Sequence, residues 1–340
     1  MVSSLDRLGR MSAPLVLDAA AVAAACPPAD AVAAITAALD GGLDPAVDLP
    51  RQAVPLEAGQ LLLMPSDGGG GLKHAGIKVA TVAPGNPERG LPRVQGSYLL
   101  LDAATLGVVA VLDGIALTTL RTPAVSVAAV LRRLLAGPTP LRVAVLGSGP
   151  QAHGHVATLA GALAGHRELA SVDQLVRDPA RWSSVSGPGS RHARPAGSGP
   201  IDGARLVRLG TTESDDALRA ADVVVCATSA REPLFDADLI AGTAVVVAVG
   251  SHEPDARELP AGLLGRATVV VEDRAAALRE AGDVVLAIAD GALRAEDLVP
   301  MRDVVTGAVR PDPARPLVFK STGMSWEDLV VAEAVLAGGR

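Results

Sequence analysis

Aromatic side chains are almost missing from this chain: its 340 residues include two tryptophans, one tyrosine and two phenylalanines. A core built without them must be aliphatic, and there is little material for the stacked platforms that grip single-stranded nucleic acid. Lysine is nearly as scarce, because of 30 basic residues only Lys73, Lys78 and Lys320 are not arginine. A GC-rich coding bias accounts for such a preference, and it singles out each lysine that is retained. Two cysteines, Cys26 and Cys226, exclude a disulfide scaffold and a Cys-rich zinc module. A net charge of −7 with a pI near 5.4 leaves no electrostatic footprint for nucleic acid. No uninterrupted run of ~18 apolar residues marks a membrane span. Arg7 and Arg10 ahead of an apolar stretch have the outline of a signal peptide, but Asp18 interrupts it and reads better as the N-cap of a helix over 19–25. The expectation is a cytoplasmic protein with neither membrane nor nucleic acid as partner.

What is present suggests roughly two domains at ~150 residues each. Residues 1–50 read as two short Ala-rich helices around Pro27-Pro28, then a turn at Gly41-Gly42. Strand-like apolar runs follow at 61–65, 76–82, 97–103 and 107–113. The glycine run at 68–71 reads as a hairpin loop, since no Lys-Ser/Thr follows to make it a P-loop. A helical pattern begins at Thr118, and Pro123 suits only a first turn. The helix is therefore expected to start there with Thr122 as cap, and to stop at Gly137-Pro138. From Leu141 strands and helices alternate, with Val-rich strands at 141–147, 170–176, 222–229, 243–251 and 267–273. Unbroken apolar strands alternating with helices predict an α/β fold with a doubly wound parallel sheet. The Ser/Gly/Pro/Arg-rich stretch 183–205 is expected to be a mobile surface insertion.

Gly147-Ser148-Gly149-Pro150-Gln151-Ala152 fits G-x-G-x-x-A directly after a strand and at the start of a helix, the context that makes the pattern specific for a dinucleotide. Gly147 permits the tight turn, Gly149 lets a pyrophosphate approach the backbone, and Ala152 packs helix on strand. Free N–H groups at the helix start then face the phosphates. An NAD enzyme places Asp or Glu at the end of the second strand. Here Val176 stands there, followed by Arg177 and Arg181, whose planar forks suit a 2′-phosphate. NADP(H) is favoured, with NAD(H) possible through Asp178.

The segments 76–102 (GIKVATVAPGNPERGLPRVQGSYLLLD), 112–126 (LDGIALTTLRTPAVS), 250–259 (GSHEPDAREL) and 318–329 (VFKSTGMSWEDL), with the dinucleotide motif, closely resemble the ornithine cyclodeaminase/mu-crystallin family. The resemblance implies a Rossmann domain over 127–312 inserted into a mixed α+β substrate-binding and dimerisation domain, 1–126 plus 313–340. It implies a homodimer and a small amino or imino acid as substrate. Arg51 in DLPRQAV and Arg121 in LRT match the family arginines at the substrate carboxylate, which act physically as bidentate clamps. Lys78 in GIK matches the lysine at the reacting centre, where Arg121 nearby would ease loss of its proton. Gln151, Thr122, Thr228 and Ser229 match cofactor positions, the last two at the carboxyl end of a strand where ligands of open α/β sheets bind. Lys320 and Ser321 match the mu-crystallin-like branch.

One departure separates activities within the family. Ornithine cyclodeaminases carry an aspartate, read as the base for ring closure, where this chain has His252. His252 could itself serve as a base near neutral pH, line the substrate pocket or cap the strand end. The leading expectation is an NAD(P)H-dependent reductase of α-imino acids. The alternatives are an ornithine or lysine cyclodeaminase, which recycles its cofactor, and a mu-crystallin-like small-molecule binding protein. Metal is not expected: the one close histidine pair, His153-x-His155, points to different faces of a helix.

Overall fold

The computed structural model describes residues 13–67, 69, 71–183 and 198–339. In chain order they form β1 (Leu15–Leu17), α1 (Ala19–Ala25), α2 (Pro28–Asp40), β2 (Gln52–Leu56), β3 (Gly59–Ser66), β4 (His74–Val82), β5 (Val94–Asp102), β6 (Val108–Asp113) and α3 (Gly114–Leu134). Then come β7 (Leu141–Leu146), α4 (Pro150–Leu163), β8 (Leu169–Val176), α5 (Ala180–Ser183), β9 (Arg205–Arg208), α6 (Thr212–Ala220), β10 (Val223–Cys226) and β11 (Val245–Ala248). The remaining elements are α7 (Ala261–Arg266), β12 (Thr268–Val271), α8 (Arg274–Glu280), α9 (Gly282–Ala289), β13 (Val299–Pro300), α10 (Met301–Val305), β14 (Leu317–Lys320) and α11 (Ser325–Gly338). They divide into two compact units, one of Met1–Arg121 with Met324–Arg340 and one of Thr122–Gly323.

In the first unit Asp18 caps α1, accepting the Ala21 N–H at 2.9 Å. Pro28 opens α2, where its missing N–H costs nothing. Six strands form a sheet in the order β1-β6-β5-β4-β3-β2, antiparallel except for the parallel pair β1–β6. Strand alternation sends Met64, Lys78, Ala80, Tyr98, Leu100, Ala110 and Leu112 to one buried face, against which α11 packs. The other face is also apolar. Pro65, Ile77, Leu99, Val111 and Val16 fall in register across five strands, and none of them is buried.

The second unit is built on eight parallel strands in the order β13-β12-β14-β11-β10-β7-β8-β9. β10 (VVVC) and β11 (VVVA) are buried along their whole length, as strands covered on both faces must be. β7 has β8 on one side and β10 on the other, so the strand order reverses beside it, the place where open α/β sheets receive ligands.

Three expectations need correction. α3 does not start at Pro123. It starts at Gly114, where Asp113 accepts the N–H groups of Ile115 and Ala116 at 2.9 and 2.8 Å, and it continues through the proline. Pro123 leaves the Thr119 carbonyl without a helical donor, and the buried apolar run Ala124, Val125, Val127, Ala128, Ala129 and Val130 outweighs that loss. Thr122 is therefore mid-helix and caps nothing. The tail from 313 does not all belong to the first unit, because β14 pairs with both β11 and β12 inside the parallel sheet. The divisions fall at Arg121/Thr122 and Gly323/Met324. Although no uninterrupted apolar run in the sequence reaches ~18 residues, α3 is long and apolar enough to cross a membrane; 67% of its span is buried in the protein, as suits a core helix. The insertion expected at 183–205 falls mainly on 184–197, outside the described residues.

Candidate active site

In the second unit, residues 147–149 make the turn between β7 and α4. Gly147 has φ +126°, and a Cβ there would stand 2.5 Å from the Ala227 carbonyl oxygen, so no other residue fits. Gly149 is the N-cap of α4, and a Cβ on it would meet nothing within 4 Å: the space before the first N–H groups of the helix is open. Gln151 lies in that first turn, and Ala152 is fully buried against the sheet. Gly147, Ser148 and Gly149 border a cleft of about 450 Å³ whose lining also includes Val176, Arg177, Asp178, Arg181, Trp182, Thr228 and Ser229. Arg177, Arg181 and Ser229 are exposed. The Arg181 guanidinium lies over the Trp182 ring, 5.5 Å from its centre. A glycine cradle, a helix N-terminus and two arginines fit a dinucleotide phosphate chain.

The other cofactor candidates of this unit are tied into the protein. Thr228 donates its N–H and its hydroxyl to Glu258 Oε1 at 2.9 and 2.7 Å, and Gly250 donates to Glu258 Oε2 at 2.7 Å. Burial raises the pKa of this carboxyl, which Lys320 and Thr228 oppose. The N–H groups of Glu258 and Leu259 in turn donate to Asp283 Oδ1, at 2.7 and 2.8 Å. Lys320 is fully buried, donates to the Ser251 carbonyl at 2.6 Å and stands 3.0 Å from Asp283 Oδ2. Ser321 donates to Glu272 Oε1 at 2.6 Å. Thr122 is buried, and its carbonyl accepts the Ser126 hydroxyl at 2.8 Å. His155 is locked between the Gln151 carbonyl and the Ser126 hydroxyl, and burial pushes its pKa down to about 4, so it stays neutral. His252 is exposed in the loop after β11.

In the first unit the structure brings two of the predicted residues together around two carboxylates. Lys78, from the buried face of β4, donates to Asp328 Oδ2 at 2.7 Å. Arg121 of α3 donates through Nε to Asp328 Oδ1 at 3.3 Å and through Nη1 to Glu327 Oε2 at 2.5 Å. Both cations are nearly buried and both carboxylates fully so. Glu327 and Asp328 lie in the first turn of α11, where the helix dipole favours negative charge. The same helix end is held by Asp48, which accepts the N–H groups of Ser325 and Trp326 at 2.7 and 3.2 Å and whose pKa burial pushes up to about 6. The Lys78 pKa is pushed down to about 8, first by burial, against the pull of Asp328; Arg121 is a smaller cause, contrary to the emphasis expected from sequence. Arg51, just before β2, is half-buried.

Asp328, Glu327 and Asp48 were not singled out from the sequence. Acidic residues opening a helix read as routine dipole partners, and only the cations of β4 and α3 give them another meaning. Among the described residues no group of three or more His, Cys, Asp or Glu is arranged to hold a metal.

A sequence profile of the ornithine cyclodeaminase/mu-crystallin family matches residues 14–174 and 206–337. The chain belongs to this family. It is 33% identical over 280 residues to the Delta(1)-pyrroline-2-carboxylate/Delta(1)-piperideine-2-carboxylate reductase of Azospirillum brasilense, covering 82% of this chain and 81% of that one. It is 32% identical over 258 residues to the ketimine reductase mu-crystallin of Mus musculus, covering 76% and 74%. Among solved structures, the Delta(1)-pyrroline-2-carboxylate reductase of Thermococcus litoralis, in complex with NADH and L-proline, shares the fold at a TM-score of 0.77 and 22% identity, covering 95% and 97%.

Proposed function

We propose that the protein is an NAD(P)H-dependent reductase of small α-imino acids, cyclic ketimines foremost. The observation that carries this reading is Lys78, a lysine drawn into a buried ion cluster beside Arg121, with a pKa brought near neutrality. In the reaction Arg121 and Arg51 hold the substrate carboxylate, since guanidinium forks match carboxylate geometry and fix Cα in place. The Lys78 ammonium gives its proton to the imine nitrogen as the C=N bond becomes C–N, then recovers a proton from water. The reduced nicotinamide, when bound, supplies the hydride that Cα accepts. Gly147, Gly149 and the start of α4 would hold its pyrophosphate. Arg177 and Arg181, with Val176 where a ribose-binding carboxylate would stand, favour NADP(H) over NAD(H).

His252, in place of the cyclodeaminase aspartate, leaves ring closure without its carboxylate base, which argues for reduction over cyclodeamination. The relatives named as pyrroline-2-carboxylate and ketimine reductases support the same choice. A second copy of the chain is the proposed cover for the row Pro65, Ile77, Leu99, Val111 and Val16, because an apolar sheet face left in water favours association.

The deciding experiment follows NADPH absorbance with Δ1-pyrroline-2-carboxylate and Δ1-piperideine-2-carboxylate. Saturable oxidation, one NADPH per imine, is expected. Ammonia release from ornithine or lysine with catalytic NAD⁺, and no NADPH oxidation by the imines, would replace this reading with the cyclodeaminase.

A further inference from the structure

Lys78 and Arg121 come from β4 and α3, and two like charges brought together in a buried site repel unless something lies between them. Asp328 does. Its Oδ2 takes the Lys78 ammonium at 2.7 Å and its Oδ1 the Arg121 Nε at 3.3 Å. Glu327 takes Arg121 Nη1 on Oε2 at 2.5 Å and the Met324 N–H on Oε1 at 3.0 Å, so of the two cations its hydrogen bond goes to Arg121. The two carboxylates therefore differ in kind: one bridges both cations, the other serves one. Tyr98 is the cross-strand partner of Lys78, and Met64 stands opposite it on β3, so at that position neither flanking strand offers a second negative charge. The titratable groups facing Lys78 are Asp328 and Glu327 from α11, Arg121 from α3 and Tyr98 from β5.

We propose that Asp328 is the positioning residue of this site: with one carboxylate oxygen on each cation, it sets the spacing of Lys78 and Arg121 and lets Lys78 carry the proton that the reaction consumes. This rests on the reductase reading only for the meaning of that proton; the electrostatic role stands without it. Burial alone drives Lys78 toward the neutral amine, and Asp328 is the largest opposing influence. Neutralising it without changing its shape, as in Asp328→Asn, withdraws that support and leaves Arg121 pressing in the same direction as burial.

The scarcity of lysine makes the test direct. With Lys73, Lys78 and Lys320 the only lysines, protein labelled with ¹³C at lysine Cε gives three resonances, and Lys73→Arg and Lys78→Arg assign them. In full-length Asp328→Asn the Lys78 midpoint is expected to fall by at least one pH unit, a tenfold loss of proton affinity, while Lys73 stays put. The basic limb of the kcat profile should move down by the same amount, so that turnover recovers as the pH is lowered. Asp328→Glu, which keeps the charge, should hold the midpoint within a few tenths of a unit, and it carries the test if Asp328→Asn does not fold. Glu327→Gln should raise KM more than it moves the midpoint. An unmoved Lys78 midpoint in Asp328→Asn, with kcat lowered by one factor at every pH, or a midpoint that drops as far in Asp328→Glu, would overturn the proposal. The titration needs no substrate. A shifted midpoint in a protein that reduces no imino acid would sink the reductase reading and leave the role of Asp328 standing.

Discussion

The phenol of Tyr98 occupies the place of the side chain that Gly76 lacks: a Cβ on Gly76 would lie 2.2 Å from the Tyr98 hydroxyl oxygen. Gly76 stands two positions before Lys78 on β4, and Tyr98 is the cross-strand partner of Lys78 on β5. Gly76→Ala must therefore move a fully buried ring beside the lysine. The expected result is a loss of about 1–3 kcal/mol in stability together with reduced turnover. Denaturant unfolding and steady-state kinetics on one preparation check both, and unchanged stability would refute the contact.

The Tyr98 hydroxyl is itself buried with no hydrogen-bond partner among the described residues. A stranded hydroxyl costs free energy, so Tyr98→Phe should stabilise the protein, by about 1 kcal/mol on that principle. A lower melting temperature would mean that the hydroxyl serves something other than packing.

Lys78 should give opposite pH dependences for activity and for stability. Its folded pKa is lowered from 10.5 to about 8. With the ammonium as the proposed acid, kcat should fall as the pH rises through about 8. Between pH 8 and 10.5 the unfolded chain binds the proton that the folded chain has lost, so this group's contribution to stability rises over the same interval. Lys78→Met should lower kcat by roughly 10²–10⁴ and remove the rise in stability. Melting curves from pH 7 to 10.5 on both proteins read the second effect.

Cofactor choice should rest on Arg177. In Arg177→Ala the KM for NADPH is expected to rise at least tenfold, about 1.4 kcal/mol, while the KM for NADH changes little. Equal changes for both would remove the arginine from the 2′-phosphate assignment.

For the apolar row on the sheet of the first unit, Leu99→Glu puts a charge at its centre. Sedimentation velocity of the unaltered chain should give a dimer, and of the variant a monomer with the same circular dichroism. A monomeric parent would leave that face without its proposed cover.

The strands at 61–65, 76–82, 97–103 and 107–113 could be read in advance because apolar residues alternate or run unbroken between Gly and Pro, and the turn at Gly147 because its spacing has a steric cause. Pro123 misled because a local rule about helix starts was overridden by the burial of the whole helix, which no short window registers. β14 was hidden for another reason: four residues, LVFK, make a buried strand only because β11 and β12 flank them. Lys78 and Arg121 were found as residues of a motif. Their carboxylate partners were not, since a bond between positions 250 residues apart leaves no trace in local spacing. Lys320 reverses the lesson, because a lysine matched to a cofactor position spends its charge on Asp283 and the Ser251 carbonyl.

That long separation bears on how the protein is made. Lys78 and Asp328 are 250 residues apart, and at about 5–20 residues per second a ribosome needs roughly 10 s or more to travel from one codon to the other. The second unit, Thr122–Gly323, is translated entirely within that interval and can fold before Met324 emerges. Through that time the sheet of the first unit has one face bare of α11, and its lysine has no counter-charge, a state in which the neutral amine is the cheaper form. Nascent chains should therefore acquire the dinucleotide fold first and the Lys78–Asp328 ion cluster last, and a chaperone that shields the unfinished sheet would act on the part synthesised earliest.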